Sequence, residues 1–86
     1  MIEVTLRYPI EFEGRTIDKL AFRRLKTGEI ARGTHKGDEF KTAMNIAAIS
    51  AELPVSAIEE IDAADFREIS EALEGAGFFE HTTQRT

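Results

Sequence analysis

Residues 2–8, "IEVTLRY", alternate without a break, and this constrains the chain more than any other feature. Ile2, Val4, Leu6 and Tyr8 fall on one side, and Glu3, Thr5 and Arg7 on the other. A period of two with β-branched residues specifies a half-buried strand rather than a helix. Pro9 has no N–H to give to a ladder, so it ends the strand or sits on an edge. "EFEGRT" follows, with Gly14 available for a tight reversal. A second strand is expected over about Thr16–Leu25, with Ile17, Leu20, Phe22 and Leu25 as its apolar set. The step of three from Ile17 to Leu20 breaks the alternation and predicts a bulge, or a strand starting nearer Lys19. An isolated hairpin is marginal in water. Something else in the chain must therefore cover its apolar face.

The cover has to come from the second half. Residues 26–37, "KTGEIARGTHKG", hold three glycines and few apolar groups, and read as a glycine loop. Asp38 is a good N-cap, with Glu39 near the positive end of the helix dipole. A helix is expected over Glu39–Glu52. Phe40, Ala43, Met44, Ala47 and Ala51 form one apolar stripe. Ile46, Ile49 and Leu53 form a second, on another side. Pro54 breaks the helix. A short helix over about Val55–Ile61 follows, with Val55, Ile58 and Ile61 at i, i+3, i+6. Asp62 and Asp65 resemble a capping box that opens a last helix, Ala63–Glu74. Its inward set is Phe66, Ile69, Ser70 and Leu73, and Gly75 is placed to end it. The tail, residues 76–86, is polar apart from Phe78 and Phe79 and reads as flexible. The expected fold class is α+β: an N-terminal antiparallel hairpin of about residues 2–25, packed against about three C-terminal helices. It forms a single small domain over residues 1–86.

Bulk properties narrow the function. Eighty-six residues build one small core and leave little room for a deep active site. With no cysteine there is neither a disulfide framework nor a thiolate metal site. No apolar run approaches the roughly 20 residues that span a bilayer, and the N-terminus lacks the apolar centre of a secretory signal. These features together lead us to expect a cytoplasmic protein. The net charge of −5 divides unevenly: residues 1–37 balance to +3 and residues 38–86 to −8. Net acidity argues against general affinity for phosphate backbones. The division itself follows from acids enriching helices, with head-to-tail self-association as the alternative.

The candidate chemistries fail one by one. Glu68, Glu71 and Glu74 repeat every three residues opposite Phe66, Ile69 and Leu73, which makes a solvated face. Glu59 and Glu60 splay apart. No histidine lies within helical reach of these acids to tune them. His35 and His81 lack a second ligand at metal-binding spacing. "TGEIARGTHKG" has no G-K-[ST] ending. Ser50, Ser56 and Ser70 sit in helical text without a nucleophile elbow. The residues thus point to no enzyme, no cofactor and no metal. Arg23, Arg24, Lys26, Arg32 and Lys36 are a candidate nucleic-acid patch, but they lack stacking aromatics and read better as edge charges that discourage aggregation. The two-sided helix and the pair Phe78–Phe79 exceed what a hairpin and two short helices need for a core. Either that helix is central and sandwiched, or the surplus is a partner site. Ile46, Ile49, Leu53, Phe78 and Phe79 are the candidate partner-binding residues.

"VTLRYPIEFEGRTIDKLAFRRLKTGEI", a polar loop, and then "MNIAAISAELPVSAIEEIDAADFREISEAL" resemble the tail assembly chaperones of Mu-like tailed phages, the family of tail protein E. The matching features are the strand ending at Tyr8–Pro9–Ile10, the turn at Gly14, "DKLAFRR", and the order L-P-x-S-x-I-x-x-I-D-x-x-D after an Ala/Ile helix. The resemblance covers roughly residues 2–74. It implies a non-enzymatic assembly factor of the host cytoplasm that binds the tape-measure protein and keeps it soluble. Such a factor helps tail-tube subunits polymerise and is absent from the mature virion. It also implies that a longer, frameshifted product can accompany the short one. The alternatives are a small nucleic-acid-binding regulator, and a structural or dimerisation module of a phage or prophage particle. The former would use the basic strand and loop.

Overall fold

The computed structural model describes residues 1–75, and the expectations for the tail 76–86, including Phe78 and Phe79, lie outside the described residues. In order, the elements are β1 (Ile2–Phe12), β2 (Arg15–Phe22), α1 (Thr27–Gly33), α2 (Glu39–Ala51), α3 (Val55–Ile58) and α4 (Ala63–Gly75). The two strands form an antiparallel hairpin that runs from Ile2 opposite Phe22 to Phe12 opposite Arg15. The α+β architecture expected from the periodicities is therefore the one observed.

Glu13 and Gly14 make the reversal, with φ of 53° and 77°. Two positive values match the right-handed twist of the flanking strands, the reason such turns join two-residue hairpins.

β1 does not end at Pro9. The ladder breaks between Thr5, opposite Lys19, and Ile10, opposite Ile17, so residues 6–9 stand opposite Asp18 alone. The irregularity expected between Ile17 and Leu20 is present, but the extra residues belong to β1. Pro9 sits inside this bulge, where its missing N–H costs no ladder bond. The bulge also corrects the alternation: Leu6 and Ile10 are buried, whereas Tyr8, expected inward, is 59% exposed.

The glycine-rich segment 26–37 is not simply a loop, because α1 occupies Thr27–Gly33. Its three glycines concealed a short helix that tertiary contacts stabilise. The Glu29 carboxylate accepts from the Lys26 backbone N–H at 2.9 Å and so caps the first turn. Gly33 lies flush on α2. A Cβ there would come within 2.8 Å of Ile46 Cδ1 and 3.3 Å of Ile49 Cδ1. Asn45 on α2 donates to the Gly33 carbonyl at 2.9 Å, which fixes the crossing.

Asp38 caps α2 by accepting from the Lys41 N–H at 2.9 Å. Glu52, left-handed at φ 59°, ends it. The Leu53 N–H bonds back to the Ala48 carbonyl at 2.9 Å, and that of Glu52 to Ile49 at 3.2 Å. This is the Schellman arrangement, here with glutamate where glycine is usual. α3 ends at Ile58 rather than Ile61. Leu6, Ile10, Leu20 and Phe22 of the hairpin share one core with Ile46, Ala47 and Ala48 of α2, Ile58 and Ile61 around α3, and Phe66, Ile69 and Leu73 of α4. Burying each of the larger side chains contributes about 1.5–3 kcal/mol. Ser70, expected inward, is only half-buried.

Candidate partner-binding surface

Part of the apolar surface of α2 has a cover in the same chain. Ile46 is 1% exposed and belongs to the core. Its side chain is not at the surface of this monomer. Ile49 is half-buried and touches the line where Gly33 of α1 crosses, and Leu53 is half-buried beyond the end of α2. The sequence brings out these three as one stripe, but the structure separates them: one in the core, one beneath α1 and one at a rim. Helix α1 explains the difference, since it lies across α2 at Ile46 and Ile49. Two signals mark α1 in retrospect. Glu29 stands three residues after Lys26, and Arg32 lies in the last turn, where a cation meets the negative end of the dipole.

The acids, too, are structural. Asp65 was expected to cap α4. It is instead 1% exposed, and its two carboxylate oxygens accept from the backbone N–H groups of Arg7 at 3.1 Å and Tyr8 at 3.0 Å. The bulge strips those N–H groups of strand partners, and a buried donor without an acceptor is costly. Glu68, Glu71 and Glu74 are exposed, as the solvated face requires, and Glu68 pairs with Arg7. That pair is open to water and contributes about 0–1 kcal/mol.

Arg23 is taken up by a different cluster. Its guanidinium donates to both oxygens of Glu29, at 3.2 and 2.8 Å, and to Glu52 at 3.0 Å. The hydrogen bonds from Arg23 and from the Lys26 backbone lower the Glu29 pKa to about 2. The Arg23 backbone N–H meets the Ser50 carbonyl at 3.1 Å, and the Ser50 hydroxyl donates to the Arg23 carbonyl at 2.6 Å. Arg23 thus clamps the end of β2 to α1 and α2, and is not a free member of a basic patch.

His35 is exposed at the turn before α2, and its backbone N–H donates to the Thr42 hydroxyl at 2.8 Å. Among the described residues, no group of three or more His, Cys, Asp or Glu is placed to hold a metal ion. Nor is any helix there long and apolar enough to cross a membrane.

What the surface does offer is a concavity. An open groove of about 300 Å³ runs beside β2, lined by Arg15, Thr16, Ile17, Lys19, Leu20 and Ala21, with Ala51 and Leu53 at the end of α2 as its other wall. Phe40, 65% exposed, meets Phe66 edge to face, with ring centroids 5.7 Å apart. Periodicity could not locate the groove, because residues from two distant segments build it.

Comparison with known proteins gave no match among curated proteins or solved structures. The sequence profile of the phage tail assembly chaperone proteins (E, or 41 or 14) matches residues 3–77, which takes in β1 from its second residue, β2, and α1 to α4. The chain belongs to the phage tail assembly chaperone family.

Proposed function

We propose that the protein acts without catalysis, by binding the tape-measure protein in the host cytoplasm. There it keeps that long client soluble, assists tail-tube polymerisation around it, and is left out of the mature virion. The observation that carries this reading is the family match over residues 3–77, which takes in all but the first two of the described residues. The polar chemistry agrees in kind: Asp65, Glu29 and Arg23 are engaged in holding elements together. In this reading Leu53 and Ile49 contribute to the client surface, together with Phe78 and Phe79. Ile46 joins them only when α1 lifts from α2.

Co-expression with the tape-measure protein of the same phage tests this. The expected result is a soluble tape-measure protein that co-purifies with the chaperone, and purified tails from which the chaperone is missing. A Leu53→Asp change is expected to weaken the co-purification. A tape-measure protein equally soluble with and without the chaperone contradicts the reading. A chaperone retained in stoichiometric amount in tails makes it a structural subunit instead.

A further inference from the structure

The two edges of the hairpin are treated differently. β1 is closed at its middle: Pro9 has no N–H, and Asp65 occupies those of Arg7 and Tyr8. β2 has no such protection. Its inner edge pairs with β1, and among the described residues its outer edge has no backbone partner from Arg15 to Phe22. The first backbone bond to another element on that side is Arg23 to Ser50, where α2 closes in. The groove lies along this open stretch. It is lined by residues 15–17 and 19–21 of β2, from both faces of the strand, as a groove beside an edge is and a groove across one face is not.

The charges say what would fit. Arg15 and Lys19 line the groove, no Asp or Glu does, and neither cation forms an ion pair among the described residues. Arg15 and Lys19 stand on either side of Ile17 along the groove. A segment laid alongside meets a cation, an apolar side chain and a cation in turn. We infer that the outer edge of β2 receives an extended segment of a partner protein by strand addition, with acidic side chains on either side of an apolar one. Main-chain hydrogen bonds supply affinity, and Arg15, Ile17 and Lys19 supply selectivity. The inference does not depend on which protein provides the segment.

The test titrates acetyl-Thr-Glu-Thr-Val-Thr-Glu-Thr-amide into the isotopically labelled full chain and follows the backbone amides by NMR. Saturable shifts concentrated on residues 15–21 are expected. The same peptide with Lys for Glu is expected to bind about tenfold more weakly at low salt, and the difference to shrink at high salt. R15E/K19E changes two exposed side chains, and a retained amide spectrum verifies its fold. It is expected to reverse the preference. A peptide N-methylated at alternate amides on the edge-facing side is expected to lose binding. No shifts at millimolar peptide, shifts centred elsewhere, or equal binding of the two peptides would overturn the inference. So would a concentration-dependent dimer protecting residues 15–21, which would assign the edge to a second copy. Failure of the tape-measure experiment leaves this result standing, and the converse holds too.

Discussion

The carboxylate of Asp65 on α4 accepts a hydrogen bond at 3.0 Å from the backbone N–H of Tyr8, which lies 57 residues earlier in β1. Its other oxygen holds the neighbouring Arg7 N–H at 3.1 Å. One side chain therefore ties the hairpin to the last helix and satisfies the donors that the bulge leaves over. Asp65→Ala should lower stability by about 2–4 kcal/mol, since two part-buried donors lose a charged acceptor. An acid acting only in the first turn of a helix would cost about 0.3–1 kcal/mol. Urea denaturation separates the two values, and a loss below 1 kcal/mol would remove the strut.

Gly33 is needed for closeness rather than for an unusual backbone angle. In Gly33→Ala the new methyl meets Ile46 Cδ1 at 2.8 Å, inside a packed core. Overpacking of this kind outweighs the gain in helix propensity, for an expected net loss of about 1–2 kcal/mol. Ile46→Val removes the obstructing methyl. The double variant G33A/I46V should therefore be more stable than the sum of the two single changes predicts. Strict additivity in thermal or urea unfolding would show that α1 does not press on α2 there.

Glu13 occupies a left-handed position, at φ 53°, next to Gly14. Asparagine adopts that conformation more readily, and Asn-Gly is a favoured pair in two-residue hairpins. Glu13→Asn should raise stability by about 0.5–1 kcal/mol without changing the spectrum of the helices. A loss of stability would mean that the glutamate side chain has a role the turn geometry does not explain.

The Arg23–Glu29 pair makes a prediction about pH. The folded-state pKa of Glu29 is lowered to about 2 from an ordinary 4.5. A depressed carboxylate contributes stability above its unfolded pKa and loses it as pH falls through the folded value. The contribution is therefore present at neutral pH and fades between about pH 4.5 and 2. Glu29→Gln should be less stable than the parent at pH 7, and the gap should close as the acid limb is descended. A gap that stays constant down to pH 2 would show that the ionised form of Glu29 is not what matters.

Much of this protein can be read from local pattern. The alternation of Ile2, Val4 and Leu6, the turn at Gly14, the Asp38 cap, the break at Pro54 and the spacing of Phe66, Ile69 and Leu73 each act within a few residues. α2 and α4 are where those signals put them, and the strands pair as the expected hairpin, although β1 continues past Pro9 to Phe12 and β2 ends at Phe22 rather than Leu25. The order of the same segments also carries the family resemblance. What local pattern could not supply was decided by groups that meet only in the fold. Gly33 reads as a loop residue until α2 lies across it, and α1 takes Ile46 out of the surface it was expected to form and leaves Ile49 half-buried. Asp65 looked like a cap until the bulge in β1 presented two N–H groups to it. The open edge of β2 came from the pairing of one strand and the end of one helix. Periodicity reports which residues share a face, because that depends on backbone geometry alone. What the face meets depends on contacts between residues far apart in the chain, and these are decided by packing and by the need to satisfy buried hydrogen-bond donors.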